Sequence, residues 1–386
     1  MVDEKYNLPI ERYIKNDILA HIQPNKVVVI YGPRRVGKTT LLHQIATHLT
    51  EPILWLTGED LDVQNWLSSR SLNTLKQGIG NYRTVIIDEA QYVNEIGLNL
   101  KILVDQIPDL KIIATGSSSF ELSNQVGEPL VGRKWPFTLY PLSQLELDKL
   151  ETPSDSISHL ESRLIYGSYP QVLLAEGLSD KTTLLDSIID GALFKDIFAL
   201  EGVKKPLKIV QLAKALALQI GSQVSLSELS RTLSINFATV ERYLDLLEKT
   251  FVVKSVYGFS RNLRKEITKT HRYYFWDNGI RNALINNFNP LSVRTDIGQL
   301  WENYLFIERS KKRDYQNLFS NIYFWRTHDR QEIDLVEERG GKLHGIEFKW
   351  SAGKRKLSRP PRDWLKTYPN ADYQIINREN YLNFIA

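Results

Sequence analysis

The 386-residue chain has no cysteine. Disulfides, thiol catalysis and cysteine-ligated zinc are therefore excluded, and a cytoplasmic protein is the default expectation. No run of about 18 apolar residues is present to span a bilayer. The N-terminal stretch MVDEKYNLPIERYIKND is too charged for a secretory signal, so no membrane partner is expected. A large excess of one charge sign is missing as well. The formal net charge of +4 is mild and does not by itself argue for nucleic acid. What is present is an ordinary globular composition, 42% apolar and 24% charged, which predicts packed elements throughout. The length predicts two or three domains.

Residues 26–49, KVVVIYGPRRVGKTTLLHQIATHL, read as a buried strand, a glycine-rich turn and a helix with apolar positions at Leu41, Leu42, Ile45 and Leu49. The turn fits G-x-x-x-x-G-K-[ST]. Its residues Gly32, Pro33, Arg34, Arg35, Val36 and Gly37 would wrap a nucleotide with backbone N–H groups, continued by Lys38, Thr39 and Thr40 in the helix. Lys38 is expected to reach the β and γ phosphates of ATP, and Thr39 to offer its hydroxyl to Mg²⁺. A second apolar run, TVIIDEAQ, ends in Asp88 and Glu89. Beside a P-loop these acids would hold the Mg²⁺ shell and polarise the attacking water, respectively. Paired acids favour hydrolysis over transfer to a small acceptor. A third strand, LKIIATGSSS, brings Thr115 or Ser117 as a sensor of the γ-phosphate. Arg133 is a candidate arginine finger, in cis or across a subunit interface, because a guanidinium spreads charge from a transferring phosphoryl group. The trans option allows for a homo-oligomer.

The stretches GPRRVGKTTLL, VIIDEAQ, ATGSSSFEL, LVGR, PFTLYPLSQLE and YGSYPQVL occur in order. FKDIF, RYYFWDNGIRNAL and GQLWENYLFIE follow them. Together they resemble prokaryotic AAA-type ATPases that carry a DUF4143 region behind the P-loop module. The likeness runs along nearly the whole chain. Its P-loop and acid motifs are specific for ATPase, whereas the later ones identify a family and not an activity.

In the middle, residues 224–259 predict a helix over about 226–233, a short turn at 234–236, a longer helix to about 249, and then a strand. A basic stretch, RNLRKEITKTHR, follows. That order is a winged helix, whose second helix can enter a major groove. Thr239, Arg242 and Arg264 are then candidate nucleic-acid contacts, although Glu241 stands beside Arg242.

Near the C-terminus, HGIEFKW alternates Glu347 and Lys349 with Ile346 and Phe348, which on a strand puts both ionic groups on one face. Upstream, Asp334 lies between Ile333 and Leu335, and Gly340 and Gly341 reverse the chain, so a hairpin can bring Asp334 beside Glu347. Aspartate, a gap of twelve and Glu-x-Lys resemble the PD-(D/E)xK nuclease fold, which usually opens with a helix bearing another acid. Glu302 in GQLWENYLFIERS supplies it. The resemblance implies that Glu302, Asp334 and Glu347 bind Mg²⁺ and that Lys349 steadies a water or the scissile phosphate. Trp350 and Trp364, among the cations of KWSAGKRKLSRPPRDWLK, would stack on bases.

The expected fold is α/β in three parts. A P-loop NTPase domain occupies 1–150 and a helical and winged-helix domain 151–285. An α/β restriction-endonuclease-like domain occupies 286–386. The expected activity is ATP hydrolysis coupled to Mg²⁺-dependent cleavage of nucleic acid, DNA more than RNA. The alternative is an ATP-dependent switch whose nuclease-like domain is inert and docks DNA or a protein.

Overall fold

The computed structural model describes residues 10–116, 129–194, 197, 205–260, 271–327, 329, 331–351 and 359–386. The chain divides into two compact units. One comprises Met1–Pro141 with Lys195–Gly202 and Lys249–Phe251. The other holds Leu142–Phe194, Val203–Glu248 and Val252–Ala386.

The first unit is built on a parallel sheet of β1 (Val27–Tyr31), β2 (Ile53–Thr57), β3 (Thr84–Asp88), β4 (Lys111–Gly116) and β5 (Lys134–Thr138), in the order β2-β3-β4-β1-β5. β1 and β3 are buried at every position, as a sheet covered on both faces requires, and this is why VVVIY and TVIID read as unbroken apolar runs. Val27, Val85 and Ile112 share a core with Leu100 and Leu103 of the helix Ile96–Gln106. The P-loop leaves the carboxyl end of β1 and feeds the helix Lys38–Ala46, whose Leu41, Leu42 and Ile45 are buried. The carboxyl ends of β1, β3 and β4 therefore converge on one crevice, where open α/β sheets place their ligands.

In the second unit the helix Pro206–Leu218 precedes β6 (Gln223–Val224), the helices Leu226–Leu233 and Phe237–Lys249, then β7 (Val253–Gly258) and β8 (His271–Phe275). The two middle helices start where the sequence expects. Ser225 accepts from the Glu228 N–H, and Asn236 Oδ1 from the Thr239 N–H at 2.7 Å, so each helix opens on a side-chain cap. β6 and β7 both pair antiparallel with β8, completing a winged helix. β9 (Asn321–Arg326), β10 (Glu332–Arg339), β11 (Lys342–Phe348) and β12 (Asp372–Ile376) follow, with the helix Ile297–Tyr315 before them and Arg362–Thr367 between β11 and β12.

β7 also pairs in parallel with β9, joining Tyr257 to Tyr323, so all seven strands form one sheet in the order β12-β11-β10-β9-β7-β8-β6. The boundary expected near residue 285 therefore does not end a compact unit. β9 covers the end of the β7 edge, at Tyr257 and Gly258. The contact division between the two units falls at 141/142. Among the described residues no helix is long and apolar enough to cross a membrane.

Candidate nucleotide site and acid cavity

The P-loop is shaped for phosphates by close backbone packing. A Cβ on Gly32 would sit 2.2 Å from the Leu139 carbonyl oxygen, so only glycine lets the loop start there. Lys38, buried at the first turn of its helix, donates from Nζ to the carbonyls of Gly32 at 2.9 Å and Pro33 at 3.1 Å. Its ammonium thus lies over the loop whose N–H groups and helix dipole favour an anion. Val36 is buried, Arg35 is exposed with φ 63°, and Thr39 and Thr40 are half-buried. The Thr39 hydroxyl donates to Asp88 Oδ2 at 2.6 Å, so the two groups expected to hold Mg²⁺ meet at the end of β3. Thr115, at the end of β4, donates to Asp88 Oδ1 and accepts from the Glu89 N–H at 3.0 Å. Glu89, with φ 51°, is oriented by Gln91, whose Nε2 donates to Glu89 Oε2 at 2.6 Å. Arg34 donates to the Tyr92 hydroxyl. The hydroxyl–carboxylate pair suits Mg²⁺, a cation that takes oxygen ligands.

Two expectations of this site need revision. Arg133 is not beside the loop. It precedes β5, and the parallel register joins Val27 to Lys134 while Tyr31 joins Thr138, which puts Arg133 at the far end of the sheet, about 16 Å of strand from the crevice. There its Nε donates to Asp105 Oδ1 at 2.6 Å. A finger role in cis fails on this geometry, and reaching a nucleotide would take a second copy of the chain. Ser117 lies outside the described residues, and Thr115 is the residue found on Asp88.

The second site is a cavity of ≈ 500 Å³ inside the second unit, lined by Glu302, Asp334, Glu347 and Lys349 together with Arg272, Arg326 and Glu332. The acids of β10 and β11 meet because the antiparallel register pairs Leu335 with Ile346, which leaves Asp334 and Glu347 as the next neighbours toward the open end. A register shift between Ile333 and Val336 against β9 lets both of these pack in the core with Trp325 and Trp364, while Asp334 lines the cavity. Such bulges re-aim single side chains. Asp334 Oδ2 accepts the Phe348 N–H at 2.9 Å, and Lys349 Nζ lies 2.5 Å from Glu347 Oε1. Glu347 Oε2 is buried and has no partner among the described residues.

The electrostatics follow from crowding acids out of water. Burial, then the charge of Asp334, pushes Glu302 up to about 8 and Glu347 up to about 7, and burial also raises Asp334. For Lys349 burial acts downward, but the hydrogen bond and charge of Glu347 outweigh it and the pKa rises.

The residues fit a hard cation only in part. Asp334 and Glu347 offer the oxygen donors such an ion takes, one of them the unpartnered Glu347 Oε2. Glu302 does not fit as expected, because its Oε1 accepts from the Tyr274 hydroxyl at 2.7 Å and from Arg272 Nη1 at 3.3 Å. Arg272 Nη1 also lies 3.7 Å from Asp334 Oδ1, and Nη2 donates to Glu332 at 3.0 Å. Among the described residues no three His, Cys, Asp or Glu side chains are grouped to hold a metal. An arginine takes up charge that the sequence assigns to a metal.

The nucleic-acid expectations are also changed. Trp364 is fully buried and cannot stack on a base. Trp350 is half-buried with its ring 5.4 Å from that of Trp301 and under Arg378. On the second helix of the winged helix Arg242 is exposed, but so are Glu241 and Asp245, which leaves no basic face. Thr239 is half-buried, and Arg264 lies outside the described residues.

Three family models match the chain. An AAA domain covers residues 24–147, and two domains of unknown function follow, DUF8612 over 157–291 and DUF4143 over 297–383. The chain thus joins an AAA domain to a DUF4143 region, the arrangement of the prokaryotic AAA-type ATPases that its motifs resemble. An uncharacterized protein of Mycobacterium tuberculosis is 27% identical over 329 residues, covering 84% of this chain and 70% of its own. One of Methanocaldococcus jannaschii is 26% identical over 348 residues, covering 84% and 75%. Among solved structures the chain is similar to a Walker-type ATPase of Pyrococcus abyssi, at 18% identity, 72% coverage of this chain, 96% of that one, and a TM-score of 0.49.

Two arginines of this AAA-type ATPase escape a motif reading. Arg12 is buried, donating from Nη1 to the Val36 carbonyl at 2.7 Å and from Nη2 to that of Tyr140 at 2.6 Å, so it braces the P-loop from 24 residues upstream. Nothing in ERYIKND marks it. Arg272 closes the basic run 261–272, where its cationic neighbours disguise a side chain that is buried.

Proposed function

We propose that this ATPase couples nucleotide hydrolysis to control of a phosphodiester hydrolase in its DUF4143 region, acting on nucleic acid, DNA in preference to RNA. The observation that carries this reading is the gathering of Asp334, Glu347 and Lys349 on one cavity with the buried oxygen of Glu347 unpartnered. Asp334 and Glu347 would hold Mg²⁺, which when bound supplies Lewis acidity toward water and phosphate. Lys349, half-exposed at the cavity mouth, faces the anionic substrate and neutralises charge on the scissile group. In the first unit, Lys38 binds the phosphates, Thr39 and Asp88 would hold the nucleotide's Mg²⁺, and Glu89, held by Gln91, accepts a proton from the attacking water.

A second reading has its own support. Arg272 among the acids favours an ATP-dependent switch whose nuclease-like part is inert and docks a partner. A cleavage assay with Mg²⁺ or Mn²⁺ separates them, on single- and double-stranded DNA and RNA, with and without ATP. The hydrolase reading expects cutting that is lost in Lys349→Ala and Glu347→Ala while phosphate release from ATP persists. Equal products from all three proteins would leave the switch.

A further inference from the structure

We propose that Arg272 is a built-in counter-cation that keeps divalent metal out of the acid cavity, so that the winged helix controls whether the cavity is loaded. This deepens the hydrolase reading and rests on it for its biological meaning, though not for its test.

The cavity wall carries four carboxylates, Glu302, Glu332, Asp334 and Glu347, against three cations, Arg272, Arg326 and Lys349. A buried carboxyl stays charged only beside a cation and otherwise takes up a proton, because desolvation of an unpartnered charge is too costly. Lys349 serves Glu347. Arg272 contacts the other three, Glu302, Glu332 and Asp334, at 3.3, 3.0 and 3.7 Å, and Arg326 also reaches Glu332 at 3.9 Å. Those contacts include an acid that a metal would need, so guanidinium and metal draw on the same oxygens.

Arg272 does not come from the nuclease-like elements. It stands on β8, where it pairs with Gln223 of β6 on one side and Val256 of β7 on the other. Its side chain is 4% exposed and its guanidinium lies 4.7 Å from the centre of the Phe324 ring. Backbone pairing on both sides and a ring beneath fix the charge in place. Gly221, just before β6, leaves room for this arrangement, since a Cβ there would come within 3.1 Å of Glu302 Oε1. The winged helix thus supplies both the cation and the small residue that lets an acid reach it. Moving β8 would strip the cavity of a positive charge and leave the carboxylates in need of another.

The test is titration of the full chain with Mn²⁺ alone, followed by calorimetry. Arg272→Gln should bind Mn²⁺ about 10–100-fold more tightly than wild type, the range over which neighbours of a metal site tune affinity. Arg272→Lys, which keeps the charge, should stay near wild type. The gain should vanish when Asp334→Asn is added to Arg272→Gln, which separates this cavity from the P-loop. Arg272→Met, whose stem keeps the packing on the Phe324 ring, serves if Arg272→Gln does not fold. It removes the same charge and should tighten Mn²⁺ by a comparable factor. Unchanged or weaker Mn²⁺ binding in both variants overturns the proposal. An Arg272→Gln protein that takes up Mn²⁺ and cuts nothing would keep this inference and remove the hydrolase reading. Lys349-dependent cutting by wild type with no change in Mn²⁺ affinity on losing Arg272 would do the reverse.

Discussion

The P-loop crevice and the acid cavity are built from similar parts and differ in what occupies the centre. Each brings a lysine and acids together at strand ends. In the crevice, Asp88 is met by neutral hydroxyls, Thr39 and Thr115, and the lysine rests on main-chain carbonyls. Such partners are easily exchanged, because a hydroxyl or carbonyl can turn to a new ligand without leaving a bare charge behind. In the cavity, the acids are met by ionic partners, Arg272 and Lys349. Removing one of those strands a buried carboxylate. The first arrangement suits a ligand that comes and goes with every turnover, and the second resists loading until its own cation is moved.

The cavity rests on a buried aromatic support. Trp364 is fully buried against Trp325 and Tyr368 behind β10, and Trp364→Ala should cost about 3–5 kcal/mol of stability, in line with deletion of a large core aromatic. Calorimetric melting would register it, and a loss of DNA binding without loss of stability would reinstate Trp364 as a stacking residue. Next is Lys38→Ala. Phosphate release should fall by about 10²–10³-fold, as when one preorganised charge-stabilising donor is deleted, while the melting temperature of the nucleotide-free protein stays near wild type. A marked destabilisation instead would mean that the bonds to Gly32 and Pro33 hold the loop and are not easily given up.

Thr115→Val should cost about 0.5–1.5 kcal/mol, because Asp88 loses one of its two hydroxyl donors and the half-buried Glu89 N–H keeps only Asp88 Oδ1 as acceptor. Chemical denaturation measures this, and no change would show that water replaces the hydroxyl freely. The smallest effect is expected from Asp296. Burial acts to raise its pKa, but hydrogen bonds from Arg294 and Arg281 win and bring it down to about 2. A depressed carboxyl stabilises the fold above its ordinary value of 3.8 and loses that contribution as pH falls toward 2. The stability gap between wild type and Asp296→Asn should therefore shrink between about pH 4 and pH 2, and a gap that is constant over this window would place the pair's effect elsewhere.

The sequence alone determined the local parts. Glycines at fixed spacing before Lys38, acids at the end of an apolar run, helix starts at Ser225 and Asn236, and alternation around Glu347 are each set by a few neighbouring residues, and each appears where its pattern predicts. The tertiary structure decided what those parts face. Parallel pairing of β1 with β5 sends Arg133 to the wrong end of the sheet for a finger in cis, and a bulge in β10 turns Asp334 toward the cavity. β7 meeting β9 fuses the winged helix with the nuclease-like strands and carries Arg272 into the acids. Pairing across 60 or more residues leaves no mark in a local window, because a strand's hydrogen bonds are made by backbone groups that every sequence shares.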